Sequence, residues 1–196
     1  MPQYFLSTLS NLDKPAVLAH LMRLNTKDRY MRFFAAVSDY VLEKYVEKMD
    51  LNKDASFGIY DCDGVTLIAF AHVGAEERTE KGKVAELGIS VELHKRGLGL
   101  AKKLMSRTLV YCRANNIGTL YMSCLRENKA MQHLAKENGL SVVLEHDEAI
   151  AELALDGTVA EKLSSIAKDL AFNQISIFDK CYRQNSMLVR ALMGHS

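Results

Sequence analysis

Apolar residues along the chain switch between helical and strand spacing, and the order of those switches predicts the architecture. From Pro15 to Leu24, Leu18, Leu21 and Met22 have helical spacing, and Pro15 suits a first helical turn. A second helix is predicted from Ser38, a good N-cap, with the stripe Val41, Leu42, Tyr45, Val46 and Met49. Strand patterning then takes over. Ala55–Tyr60 and Val65–Val73 flank Asp61-Cys62-Asp63-Gly64, in which Asp63-Gly64 is a hairpin signal. The charged stretch Glu76 to Lys83 reads as a surface connection. Val84–Glu92 alternates: Ala85, Leu87, Ile89 and Val91 face one way, Glu86, Gly88, Ser90 and Glu92 the other.

Helical spacing returns from about Leu98 to Ala114, with Ala101, Leu104, Met105, Thr108 and Cys112 inward. Asn115-Asn116-Ile117-Gly118 ends that helix as left-handed caps do. A strand is predicted over Thr119–Leu125 and a helix over Asn128–Asn138, stopped by Gly139. Leu140–Glu145 and Ala149–Leu155 form a closing hairpin around His146-Asp147-Glu148. Beyond Asp156-Gly157, helices are predicted over Val159–Ala171 and Ser176–Met193, because their apolar stripes need a surface to cover. The pattern thus predicts an α/β domain over 1–155 and a helical appendage over 156–196.

Charge changes this picture by exclusion. With 25 basic and 24 acidic side chains the net charge is +1, which offers no global attraction to nucleic acid or to an anionic membrane. No apolar run approaches the roughly 18 residues of a membrane span. The N-terminus has no basic region followed by an apolar stretch. Cys62, Cys112, Cys124 and Cys181 lack the close spacing of a zinc or redox motif. The expectation is a cytoplasmic protein with reduced, mostly core cysteines, Cys124 buried and inert among them. His20, His146 and His195 have no partners at metal-ligand spacing, so no metal is expected. His72 is expected as a core or rim residue.

One loop carries chemistry. His94-Lys95-Arg96-Gly97-Leu98-Gly99 falls between a predicted strand and a helix N-terminus. Such a terminus offers unpaired N–H groups and partial positive charge, and two glycines let a phosphate come close to the backbone. Lys95, Arg96, Lys102 and Lys103 add positive charge around it. A dinucleotide-binding loop would need its third glycine at Lys102, and a Walker loop would end in Gly-Lys-Ser/Thr; neither is present. A plain structural turn remains the alternative from the loop alone.

The surroundings resemble the GNAT acetyltransferase family. Its Gln/Arg-x-x-Gly-x-Gly/Ala loop is similar to His94–Gly99, with His94 in the first position. Ala85–Val91 looks like its splayed strand, and Asn128-Lys129-Ala130-Met131 with Leu134, Ala135, Gly139 and Leu140 resembles its Asn-x-Ala-Met…Gly-Phe helix. The likeness covers about residues 15–155, and is nearest to GNAT domains of bacterial protein-lysine acetyltransferases. It implies a mixed, mostly antiparallel sheet with a splayed central strand pair, flanked by helices and carrying a C-terminal helical extension.

It also implies acetyl-coenzyme A as co-substrate. The backbone of Ile89, Ser90 and Val91 would hold the pantetheine arm and thioester carbonyl. His94 and the amides of Arg96, Gly97, Leu98, Gly99, Leu100 and Ala101 would serve the pyrophosphate, and Asn128 the pantetheine or the splayed strands. Glu86 matches a carboxylate that serves as general base in protein-acetylating relatives, and Glu92 on the same face is the second candidate. The implied acceptor is a primary amine, with a protein lysine slightly ahead of a small molecule and a non-catalytic acyl-coenzyme A-binding module as the rival. A homodimer is compatible with the family. The resemblance lacks one feature: Leu134 and Ala135 stand where many members place a tyrosine that protonates the leaving thiolate. Arg29 and Arg32, in Asn25–Phe34, either meet an acidic substrate or are surface charges beside a packed Phe33 and Phe34.

Overall fold

The computed structural model describes residues 4–79, 82–155 and 157–193, with the side chains of 75–79, 82, 178 and 181–193 left aside. A short strand opens the chain (β1, Phe5–Thr8), followed by three helices: α1 (Lys14–Arg23), α2 (Thr26–Phe33) and α3 (Asp39–Lys48). Strands β2 (Ala55–Tyr60), β3 (Leu67–Thr79) and β4 (Gly82–Val91) form a meander. Then come α4 (Leu100–Ala114), β5 (Ile117–Leu125), α5 (Lys129–Glu137), β6 (Ser141–Glu145), β7 (Glu148–Ala154) and α6 (Val159–Met193). The sheet has seven strands in the order β1-β2-β3-β4-β5-β7-β6. Every neighbouring pair is antiparallel except β4 and β5.

Alternation along the strands sends side chains to two cores. Phe57, Ala71, Leu87, Ile89, Leu120 and Met122 meet Leu104, Met105 and Cys112 of α4 on one face. Leu67 and Phe70 meet Val17 and Leu21 of α1 and Leu42 and Val46 of α3 on the other. Local signals hold where they are strong. The Ser38 hydroxyl accepts from Val41 N–H at 3.4 Å, and Gly64 takes φ +72° in the β2–β3 turn.

The structure corrects two expectations, for the charged stretch from Glu76 and for the C-terminal helices, and adds two elements, α2 and β1. Glu76–Thr79 and Gly82–Lys83 extend β3 and β4, not a surface connection, because antiparallel pairing carries the hairpin outward from the core. Asn25–Phe34 contains a helix, α2, whose cap is the Asn25 side chain accepting from Asp28 N–H at 2.9 Å. Phe5–Thr8 is a strand, registered on Phe57–Tyr60. The two C-terminal helices are one, 35 residues long. Ala171–Ile175 contains neither Gly nor Pro, and Asn173 and Ser176 hydrogen-bond to Thr8 of β1, so the joining segment has reason to stay helical.

Candidate active site

A cleft opens where β4 and β5 part. Their parallel pairing runs only from Lys83↔Ile117 to Glu86↔Tyr121. Beyond that point β4 stays on β3 through Val91, and β5 stays on β7 through Leu125. Hydrogen-bond direction shows what faces the gap. Glu92 N–H donates to the Ile68 carbonyl at 3.1 Å on the β3 side, whereas the Val91 carbonyl accepts from Arg96 Nε at 3.3 Å on the other. Main-chain groups alternate along an antiparallel strand, so Ile89 turns its N–H and carbonyl the way Val91 does, into the opening.

The loop follows at the end of β4. Gly97 and Gly99 have φ of +77° and +72°, where a side chain is strained. A Cβ at either position would meet nothing within 4 Å, so the space before the backbone is open. Gly99 is the N-cap of α4 and no side chain caps that helix. Its first amides keep free donors, and the helix end carries roughly half a positive charge. Together these make an anion site.

Glu86, Ile89, Ser90, Val91, Arg96, Gly97, Gly99, Leu100, Ala101 and Asn128 all line this cleft of about 980 Å³. Leu98 is exposed and its side chain lies outside the lining. Asn128 Oδ1 accepts from Met131 N–H at 3.2 Å and caps α5. Ser90 lends its backbone to the wall while its hydroxyl lies 2.8 Å from His20 Nε2. The loop cations are engaged elsewhere: Lys95 with Asp61 at 2.7 Å and Arg96 with Asp28 at 2.6 Å. At the loop itself, the α4 amides and Lys102, which lines the cleft 4.0 Å from Glu137, attract an anion. A long ligand with an anionic end and a hydrogen-bonding arm fits these walls.

Besides Leu98, two expected site residues lie outside the cleft lining. Glu92 is 3% exposed, with its carboxylate 2.7 Å from Arg23 Nε and 3.7 Å from His20 Nδ1. Burial pushes its pKa up, but the hydrogen bonds and charges of His20 and Arg23 outweigh it and hold the carboxyl below its ordinary range. A carboxylate so satisfied is a poor base. His94 points at that cluster, with Nε2 3.3 Å from Glu92 Oε2. Its imidazole is therefore not at the anion site. Glu86, by contrast, is exposed on the cleft wall, one strand step before Gly88.

Ser123 was not anticipated. Leu120 and Met122 sit in the α4 core, so alternation puts Ser123 on the other face, where it lines the cleft. Cys124 lines it too, and burial raises its thiol pKa, which keeps it protonated. His72 is a rim residue whose pKa burial pushes down to about 4, with the charge of Arg32 adding to the effect. Its Nε2 is 3.4 Å from Asp54 but off the hydrogen-bonding direction, so a neutral imidazole makes no ion pair there. Among the described residues, no three metal-ligating side chains converge and no helix is long and apolar enough to cross a membrane.

Known proteins share this fold. A family model described as acetyltransferase (GNAT) family matches residues 18–140. The GNAT domain of S. lividans PAT superposes with a TM-score of 0.64 at 17% identity, covering 76% of this chain and 89% of that one. An N-acetyltransferase from Staphylococcus aureus Mu50 gives 0.60 at 18% identity, covering 79% and 99%. The structure of yncA from Salmonella typhimurium with its cofactor acetyl-CoA gives 0.62 at 17% identity, covering 81% and 97%.

Proposed function

Since the chain belongs to the acetyltransferase (GNAT) family of acyl-coenzyme A-dependent N-acetyltransferases, we propose that it transfers acetyl from acetyl-coenzyme A to a primary amine, with Glu86 as general base. One observation carries the reading: the β4–β5 split runs from free main-chain groups at Ile89 to the uncapped, glycine-opened start of α4. The α4 amides and the loop from Arg96 to Ala101 would take the pyrophosphate. The free edge of β4 would take the pantetheine amides, and Asn128 would hold the opposite wall.

Acetyl-coenzyme A supplies the thioester. The ammonium gives one proton towards Glu86, directly or through water, the freed nitrogen bonds to the acetyl carbon, the carbon–sulfur bond breaks, and the second nitrogen proton passes through water to the leaving thiolate, so that coenzyme A departs as the thiol. The Ile89 N–H, aimed into the opening, would stabilise the oxygen that becomes negative. A protein lysine is slightly favoured as acceptor, on the resemblance around Glu86 and Asp28–Phe34; a small-molecule amine is the alternative. The free thiols Cys62, Cys112 and Cys124 suit a reducing compartment such as the cytoplasm.

A second reading has one observation in its favour. Helix α5 contains no tyrosine, and Leu134 and Ala135 are buried in the core. His133 reaches the cleft rim but is exposed and lies 3.4 Å from Glu137. A non-catalytic acyl-coenzyme A-binding module would look the same. Calorimetry with acetyl-coenzyme A, followed by thiol release with a panel of lysine peptides and small amines, tests both. The proposal expects binding and amine-dependent thiol release. Binding without release by any amine would favour the module, and absence of binding would refute both.

A further inference from the structure

Among the described residues, Arg32 is a cation without a counter-charge, and it lines the cleft over Gly88. Its neighbour on α2, Arg29, is consumed by structure: it donates to the Leu24 carbonyl at 3.0 Å, to the Met22 carbonyl at 2.7 Å and to Asp39 at 2.6 Å. Arg32 has none of this. Its Nε is buried with no hydrogen-bond partner, and no ion pair reaches its guanidinium among the described residues. The group stacks 5.2 Å from the Phe33 ring centroid. His72 beside it is neutral near pH 7 and supplies no negative charge.

Its position is specific. The guanidinium lies directly over Gly88 of β4, where an added Cβ would collide with it, and it lines the cleft. Gly88 adjoins Ile89, whose N–H faces the opening, and it stands on the same strand face as Glu86. Two residues along a strand span about 7 Å. A carboxylate and a guanidinium on one face at that spacing would suit a molecule bearing both an amine and an anion.

We propose that Arg32 binds an anionic group of the acceptor, so that the preferred substrate is a primary amine with a carboxylate within about 7 Å of its nitrogen. The inference rests on the acetyl-transfer reading above. The carboxylate would pair with the Arg32 fork while the ammonium faces Glu86, which orients the nitrogen towards the thioester carbonyl. Two sources share this chemistry, a free amino acid and a lysine flanked by acidic residues in a peptide.

The experiment compares matched acceptors with the full chain. L-methionine, L-phenylalanine and β-alanine are each set against the corresponding carboxamide, and lysine peptides flanked by Glu against the same peptides flanked by Gln. Thiol release gives kcat/KM for every pair, and calorimetry gives the acetyl-coenzyme A Kd. The acid should be preferred by about 10- to 100-fold, the scale of one charge-assisted pair. Arg32→Gln should reduce the preference to within about twofold and Arg32→Lys should restore part of it, with the acetyl-coenzyme A Kd unchanged in both. Preference confined to amino acids assigns a small acceptor, and preference confined to peptides assigns an acidic protein segment. Equal use of acid and amide, a preference that survives Arg32→Gln, a weakened acetyl-coenzyme A Kd in that variant, or turnover of no acceptor overturns the proposal. Failure of acetyl-coenzyme A to bind the unaltered protein is a separate result, which overturns the acetyl-transfer reading and this inference with it.

Discussion

At the scale of single residues, three acidic or titratable groups on or beside β4 behave differently because different neighbours reach them. Glu86 is exposed and lines the cleft, where the proposed acceptor would reach it. Glu86→Gln should lower kcat by about 10²- to 10⁴-fold, the usual range for a general base, while the acetyl-coenzyme A Kd stays the same. Glu92 is held by Arg23 and His20 below its ordinary pKa. A group depressed in the folded state contributes stability above its unfolded value, and that contribution is lost as pH falls through the folded pKa. Glu92→Gln should therefore be less stable than the parent at neutral pH, and the gap should close in acid below about pH 4; denaturant titration at several pH values reads this directly. His72 runs in the same pH direction by another route. Its imidazole, pushed down to about 4 by burial, stays neutral in the fold while the unfolded chain takes up a proton near 6.5. Stability therefore falls as pH drops from about 6.5 to 4, at up to about 1.4 kcal/mol per unit, and His72→Gln should flatten that slope.

At the scale of elements, the site is a relation between a strand end and a helix start. Gly99→Ala keeps the charge and the neighbours but places a methyl group at φ +72°, in the open space before the α4 amides. Backbone strain there costs about 1–2 kcal/mol. Acetyl-coenzyme A affinity should fall by about tenfold or more in calorimetry, because the methyl group stands where phosphate must approach. This part of the site was legible in the sequence, since two glycines between an alternating strand and a helical stripe have a local physical meaning. So were the Ser38 cap and the Asp63-Gly64 turn. The parts that were not legible depend on distant partners. β1 has only four residues and gains its pairing from β2, some fifty positions away. Helix α2 carries too few apolar residues to show a stripe, and rests on its Asn25 cap and Arg29 contacts. The alternation of Glu86, Gly88, Ser90 and Glu92 placed them on one face, but did not show that His20 and Arg23 of α1 engage Glu92. Nothing nearby in sequence marks Arg32 as unpaired, because that depends on what β4 offers opposite it.

Across the whole molecule, α6 braces the back of the helix that presents the anion site. It packs on α4 and β1, and the contact is centred on Arg107 of α4. That guanidinium is 4% exposed and lies between the rings of Phe57 and Phe172, 4.3 Å from each centroid. Its Nη2 is 2.6 Å from Asp169 Oδ1, a close charge contact off the hydrogen-bonding direction, and donates to Asn173 at 3.3 Å. Burial lowers the Arg107 pKa, and Asp169 offsets only part of that effect. Nε and Nη1 have no partner, so Asp169 is the main reason the charge can stay in this position. Asp169→Ala would leave a buried, uncompensated cation and should cost about 3–5 kcal/mol in denaturant unfolding. The double variant Arg107→Met with Asp169→Leu removes both charges and should recover most of that loss, because ion pairs out of water gain little over a packed apolar pair. Neither change reaches the α4 N-terminus, so acetyl-coenzyme A affinity measured well below the transition temperature should stay within about twofold of the parent, as expected for sites that share no partners. Loss of affinity in parallel with stability would instead show that α6 holds the anion site in shape, and that the C-terminal helix is part of the catalytic unit.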